Sequence, residues 1–533
     1  MATTLQQRLQ RLSQSGKVAL LKGCKVGLEK EGLRVDQNGK ISQTPHPAAY
    51  GSPLTNPYIT TDYSEALLEL ITPPCNSSEE AADFMAELHQ FVCSELDDEL
   101  IWNASMPCVV SGESSIPLAQ YGSSNAAQMK TVYRRGLGHR YGRIMQVISG
   151  IHFNYSFSEA FWQHFQQLED DHHDEKPLQE FISERYFGLL RNLQRIGWIV
   201  PYLFGASPAV CSSFLDGKPR NLDQFDEHTL FGPWATSLRM GDIGYQNNKE
   251  NEIGVKACYD NIDEYINTLG YAVKTAYPGY EKMGVKVDGV YQQLNANILQ
   301  IENEYYSTVR PKQIPLTGEA PIIALKNRGV AYVELRSIDI NPFTPIGIEL
   351  AQLHFLELVM VYCLLSDSPP MSPWERVEID KNEMSVAHQG RKPGLKLQRH
   401  GSEIALRCWG EEIIEQMAPI AELLDQDEEG SPYQNAMERQ YAALIDPEKT
   451  PSARVLREMS QEGEAFFHFA KRRSQGYQQK MCEAEAPPKR LQQFKDAVVA
   501  SNRRREEIES SDTFSFDDYL ADYFSQLDAI EDI

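Results

Sequence analysis

Residues 25–35 read KVGLEKEGLRV, a segment of strand character in which Glu29 and Glu31 stand two apart. Side chains alternate between the two faces of a strand, so both carboxylates point the same way. An isolated E-x-E more often marks a solvated face, here with Lys30 and Arg34 as partners. The pair gains meaning from three other stretches of similar design. In TDYSEALLELITPP (61–74), Glu65 and Glu69 share one face whether the segment is strand or helix, and in a strand Leu67 and Ile71 join them. Glu69 is then partly buried and needs a cation, a proton or hydrogen-bond donors. In VISGIHFNYSF (147–157), Ile151, Phe153 and Tyr155 face one way, while His152 and Asn154 face the other beside Gly150. AYVELRSIDINPF (331–343) sets Tyr332, Glu334 and Arg336 against Val333 and Leu335. Each stretch alone allows a plain reading, a salt bridge for Glu69 or a structural histidine for His152. Four strands each carrying a polar stripe form a pattern.

A converging group of Glu29, Glu31, Glu69 and Glu334 would be unstable without cations, because like charges about 4 Å apart repel by roughly 4 kcal/mol at an effective dielectric near 20. Oxygen donors with at most one imidazole, His152, suit Mg²⁺ or Mn²⁺ better than zinc, and no H-E-x-x-H is present. Phosphates are frequent companions of Mg²⁺, yet the chain has no P-loop and no dinucleotide fingerprint. A nucleotide would therefore be held by metals and by cations, with Arg310 and Lys312 in ENEYYSTVRPK (302–312) and Arg336 as candidates. Arg134 and Arg239 could bind a substrate carboxylate, and Tyr133, Tyr245 and Tyr306 could wall a small pocket. Taken singly, each of these fits ordinary surface pairing or core packing.

Hydrophobic residues make up 41% of the 533 and charged residues 24%, enough for a large core without compositional disorder. No linker interrupts residues 23–345, so one catalytic body, 1–368, is expected. The mainly helical, more polar 369–533 would pack on that body without being an independent domain. A helix should follow Pro73 and Pro74, capped by Asn76 or Ser77. The formal charge of −24 excludes nucleic acid as a partner and disfavours anionic membrane surfaces. Residues 348–365 are strongly apolar but contain Glu349, His354 and Glu357, which fits a buried helix better than a membrane span. Nine scattered cysteines without C-x-x-C fit a reducing compartment rather than a disulfide framework. The N-terminus spaces Leu5, Leu9 and Leu12 as a helix face and has no signal-peptide core, so a cytoplasmic location is expected.

The same segments, read in order, resemble the proteobacterial type of glutamate–cysteine ligase. They are GLEKEGLRV (27–35), ITTDYSEALLELITP (59–73), SMPC (105–108), QYGSSN (120–125), YRRGLGHRYG, ISGIHFNYSF, PYLFGASPAVCSSF, TSLRMGDIGY, LQIENEYY, VRPK, YVELRSIDINPF and GRKPGL. The likeness is dense over 23–395 and patchy beyond. It implies an α+β fold, a curved antiparallel sheet funnel of the glutamine synthetase-like superfamily with surrounding helices. It matches Glu29, Glu31, Glu69, His152 and Glu334 to metal positions, and Tyr133, Arg239, Tyr245 and Tyr306, with Arg134 nearby, to the cysteine pocket. Arg336 resembles the residue that meets the transferring phosphate. The implied reaction is the first step of glutathione biosynthesis. The γ-carboxylate of L-glutamate attacks ATP, with Mg²⁺ bound, to give an acyl phosphate, which the amine of L-cysteine then displaces. A different acceptor amine, a non-catalytic binding relative and a metal-dependent hydrolase remain alternatives at this stage. The oligomeric state stays open, with a monomer compatible.

Overall fold

In the computed structural model, which describes residues 4–169, 176–215, 221–244, 255–484 and 486–530, the 25–35 segment is the central strand. We denote it β1 (Lys25–Val35), followed by β2 (Ile59–Thr61), β3 (Leu67–Ile71), β4 (Leu100–Trp102), β5 (Gly150–Ser156), β6 (Val309–Lys312) and β7 (Tyr332–Asp339). They form one sheet in the order β6-β7-β5-β1-β3-β2, with β4 paired to the end of β1 beyond its contact with β5. Every pairing is antiparallel. The chain is thus a mixed fold of helices on an antiparallel sheet.

Period-two alternation decides which face is covered. Leu28, Leu68, Leu70, Phe153, Tyr155, Val333 and Leu335 point into one large apolar cluster. Helices close over that face, among them Ser78–Ser94, Leu178–Ile196 and Leu350–Leu365. The first is capped by Ser77, whose Oγ accepts from Glu80 N, and buries Phe84, Leu88 and Phe91. The Leu350–Leu365 helix buries 14 of its 16 residues and is the apolar stretch expected from sequence. Its Glu357 is satisfied internally by Ser78 and Tyr433. No helix among the described residues is long and apolar enough to cross a membrane. Residues past 369 share the same cluster: Ile413, Met417, Phe494, Leu520 and Tyr523 all belong to it.

The plain reading of the E-x-E pair fails, and one expectation is corrected. Lys30 and Arg34 are not partners of Glu29 and Glu31. Being even-numbered on β1, both fall on the opposite face, where Lys30 Nζ lies 3.1 Å from His89 Nε2 and Arg34 Nη1 donates to Glu99 at 2.8 Å. The cysteines are not all thiols either, since Cys108 and Cys211 form a disulfide across 103 residues with Cα atoms 5.4 Å apart. That contact is made by the fold, and no local spacing announces it.

Candidate active site

The register of the sheet gathers the polar stripes. Glu31 lies opposite Glu69 of β3, and Glu29 lies opposite His152 of β5. On the far side, Glu334 of β7 faces Asn154 of β5 and Arg310 of β6. Residues directly opposite in an antiparallel pair project to the same face, so five strands deliver their polar side chains to one floor. Above that floor is a cavity of about 490 Å³. The Asn125–Tyr141 helix lends it Lys130, Tyr133 and Arg134, and the turn Leu238–Met240 lends it Arg239. Tyr306, Arg310, Lys312 and Arg336 line it as well. Of the sequence-derived candidates, only Tyr245 is not placed there, because it lies outside the described residues.

At the floor's centre, one potential ligand atom each from Glu29, His152 and Glu334 lie within 4.8 Å of one another. Glu29 Oε2 is 3.0 Å from His152 Nδ1, and Asn154 Nδ2 donates to Glu29 Oε1 at 2.8 Å. Glu31 accepts from the Gly150 backbone N–H at 2.6 Å and stands 3.8 Å from His152 Nε2. Glu334 is flanked by Lys312 Nζ at 3.4 Å and Arg336 Nη1 at 3.1 Å.

These neighbours divide the carboxylates. Burial pushes Glu334 up, but Lys312 and Arg336 outweigh it and hold the group well below the usual carboxylate range. Glu69 is pushed well above that range by burial, and the Glu29 and Asp62 charges act in the same direction. Glu31 is also raised by burial. Carboxylates driven toward protonation beside a cluster of oxygen donors are ones a divalent cation would restore to charge. The donor set, rich in oxygen with one imidazole, fits a hard ion. Asn154 Oδ1, buried and without a hydrogen-bond partner among the described residues, adds an unused acceptor.

The cations occupy the walls. Arg239 Nη2 donates to the Arg336 carbonyl at 2.7 Å, and its Nη1 lies 3.6 Å from Asp339 Oδ1. Arg310 is tied to the carbonyls of Asn303 and Tyr305. Arg134 donates to the Asp62 carbonyl and lies over the Tyr121 ring at 4.8 Å. Tyr306 OH reaches Met240 Sδ at 3.7 Å. The Nε atoms of Arg239 and Arg336 are buried with no hydrogen-bond partner among the described residues, a costly state. Arg239 reaches this position only because residue 150 is glycine: a Cβ there would lie 2.0 Å from its Nη2.

Sequence reasoning missed Asp62, Lys130, Tyr519 and Tyr523, which also line the cavity. Lys130 was detectable, since Lys130, Tyr133, Arg134 and Leu137 follow helical spacing on one face. Burial lowers its ammonium to about 8, and Arg134 acts in the same direction. Part of the side chain is also exposed to solvent.

A model of the glutamate-cysteine ligase family matches residues 9–386. The chain belongs to this family. It is 47% identical over 98% of its length to the glutamate–cysteine ligase of Alcanivorax borkumensis, covering 99% of that protein. The Azotobacter vinelandii glutamate–cysteine ligase is 45% identical, with 99% of each chain aligned. Among solved structures, the Francisella tularensis glutamate–cysteine ligase, crystallised in complex with AMP, superposes with a TM-score of 0.88. It is 35% identical, with 96% of this chain and 99% of that one covered. The ligase relatives therefore span the C-terminal region that the family model leaves out.

Proposed function

We propose that the chain joins the γ-carboxylate of L-glutamate to the amine of L-cysteine, using ATP and passing through a γ-glutamyl phosphate. The products are γ-glutamylcysteine, ADP and phosphate, and the reaction opens glutathione biosynthesis. One observation carries the reading: four strands in register set Glu29, Glu31, Glu69, His152 and Glu334 on one floor lined also by Arg and Lys side chains. The family membership and the AMP bound to the Francisella protein support it.

In this reading Arg310 and Lys312 hold the phosphates of ATP. Arg336 meets the phosphoryl group in transfer, its guanidinium steadied by Glu334. Arg239, with Tyr133, Tyr306 and Tyr245, receives cysteine, and Arg134 stands by as a second carboxylate anchor. Glu29, Glu31, Glu69, His152 and Glu334 hold Mg²⁺, with Mn²⁺ an acceptable substitute. Bound there, the ion would neutralise phosphate charge and favour attack of one anion on another. The protein's own work is positioning. No side chain need act as a nucleophile, because the acyl phosphate already carries a good leaving group. The sheet is assigned to the curved funnel of the glutamine synthetase-like superfamily, 1–368 to the catalytic body, and 369–533 to a helical part of the same body. The enzyme is assigned to the cytoplasm.

ADP release from ATP and Mg²⁺ with glutamate, with and without cysteine or 2-aminobutyrate, tests this together with mass detection of the dipeptide. Acceptor-dependent ADP release with a γ-linked product is expected. A folded protein that releases no ADP with either amine refutes it.

A further inference from the structure

The matched family model ends at residue 386, yet the Phe516–Ser525 helix reaches the cavity. Its sequence, FDDYLADYFS, sets Tyr519 and Tyr523 four residues apart and so on one helix face. Both line the cavity, Tyr523 being only 9% exposed and Tyr519 half-buried.

Polar ties fix where these rings stand. Asp512 accepts from the backbone and, at 2.6 Å, the side chain of Asn125, at the start of the helix that carries Lys130 and Tyr133. Asp517 accepts from Lys286 at 3.2 Å and from Tyr291. Gln526 bridges to the 318–321 turn, donating to Gly318 O at 2.9 Å and accepting from Ala320 N at 3.1 Å. Lys326 and Lys274 donate to the Ala529 and Ile530 carbonyls at 2.7 and 3.0 Å.

The rings therefore sit where the Asn125–Tyr141 helix and the 318–321 turn are tied to the tail. Gly318, Glu319 and Pro321 of that turn also line the cavity, and Glu319 is occupied by Arg328 at 2.9 Å. Burial raises both phenols, so the rings are neutral. A wall of two phenol rings, a proline ring and glycine backbone suits a flat uncharged ring better than a carboxylate or a phosphate. The chain enters this turn from Arg310 and Lys312, the cations assigned to phosphate.

We propose that Tyr519 and Tyr523 form the aromatic wall of the purine-base subsite. The adenine of ATP lies against them with its phosphates directed to Arg310 and Lys312. The inference rests on the nucleotide use proposed above.

Competition by two inhibitors of ADP release tests it: AMP, which carries the base, and inorganic tripolyphosphate, which does not. The double variant Tyr519→Ala/Tyr523→Ala should weaken AMP inhibition about tenfold or more, the scale of a lost base–aromatic stack. Tripolyphosphate inhibition and the KM values for glutamate and cysteine should stay within about twofold. Tyr519→Phe/Tyr523→Phe keeps the rings and should restore AMP inhibition. Equal weakening of both inhibitors would mark a merely structural role and overturn the assignment, as would unchanged AMP inhibition. Calorimetric AMP binding to the same variants separates the two proposals. A wild type without ligase turnover that binds AMP through these rings keeps this inference and ends the functional reading. Active wild type with AMP binding indifferent to the rings does the reverse.

Discussion

Replacing Gly150 by alanine tests the close approach of Arg239 to the sheet. The added Cβ would lie 2.0 Å from Arg239 Nη2, 2.5 Å from Cζ and 2.8 Å from Nε. Carbon atoms do not approach that closely, so the guanidinium must retreat by about 1 Å, a misplacement that can cost on the order of 10²-fold in rate. The displaced group loses its 2.7 Å bond to the Arg336 carbonyl, and a hydrogen bond of a charged donor contributes about 1.5–3 kcal/mol. Both routes give a fall of roughly 10- to 100-fold in kcat/KM for cysteine or 2-aminobutyrate at saturating glutamate and ATP. The substitution keeps the backbone N–H that donates to Glu31, so the Mg²⁺ dependence should not move. The decisive assay is a double-mutant cycle with Arg239→Ala. If the methyl group acts through Arg239, adding Gly150→Ala to Arg239→Ala costs almost nothing further. Losses that simply add would refute the reasoning, as would a single variant with unchanged kcat/KM.

Three other outcomes follow from the geometry. Glu69→Gln removes one of the crowded carboxylates: the apo protein should melt no lower than wild type, while half-maximal activity should need about tenfold more Mg²⁺. An unchanged Mg²⁺ titration would take Glu69 out of the site. Burial, aided by Asp380, pushes Glu383 up to about 7 from an ordinary 4.5. The folded chain then retains a proton that the unfolded chain gives up, so this group's contribution is fully present below pH 4.5 and is lost as pH rises to 7. The difference corresponds to up to about 3 kcal/mol. Glu383→Gln should raise the urea midpoint over wild type at about pH 8 but not at about pH 4.5, and a pH-independent gain would contradict the assignment. Finally, Cys108 and Cys211 are paired while seven cysteines are free. Alkylation in denaturant should add seven labels before reduction and nine after, and nine in both would disprove the pairing.

The floor of the site was legible in the sequence because a strand has one period, and polar residues two apart declare a face without any knowledge of neighbouring strands. Glu29, Glu31, His152 and Glu334 announced themselves in this way. Their mutual approach could not be read from the residues, since it depends on registers such as Glu31 opposite Glu69, which long connections set. The same period carries the correction to Lys30: a residue between two carboxylates on a strand is the one that cannot reach them. Asp62 sits in the turn before β3, where no periodicity applies. Tyr519 and Tyr523 show a helical face, but the ties through Asp512 and Gln526 that turn it toward the cavity span hundreds of residues.

A chain with a formal charge of −24 is an unexpected host for ATP and glutamate, both anions. Seven carboxylates and six cationic side chains line the cavity. Glu304 and Glu319 are engaged by Arg140 and Arg328, which do not line it. The remaining five carboxylates face six cations, so the cavity is close to neutral before any divalent ion enters. Acidic groups elsewhere on the surface act through water and salt, where a Debye length of about 8 Å at physiological ionic strength limits their reach. The local balance therefore governs binding. Four of those five acids lie on the rigid sheet, where crowded like charges are held together by the backbone, while the cations divide evenly between the sheet (Arg310, Lys312, Arg336) and the helix and turn above it (Lys130, Arg134, Arg239).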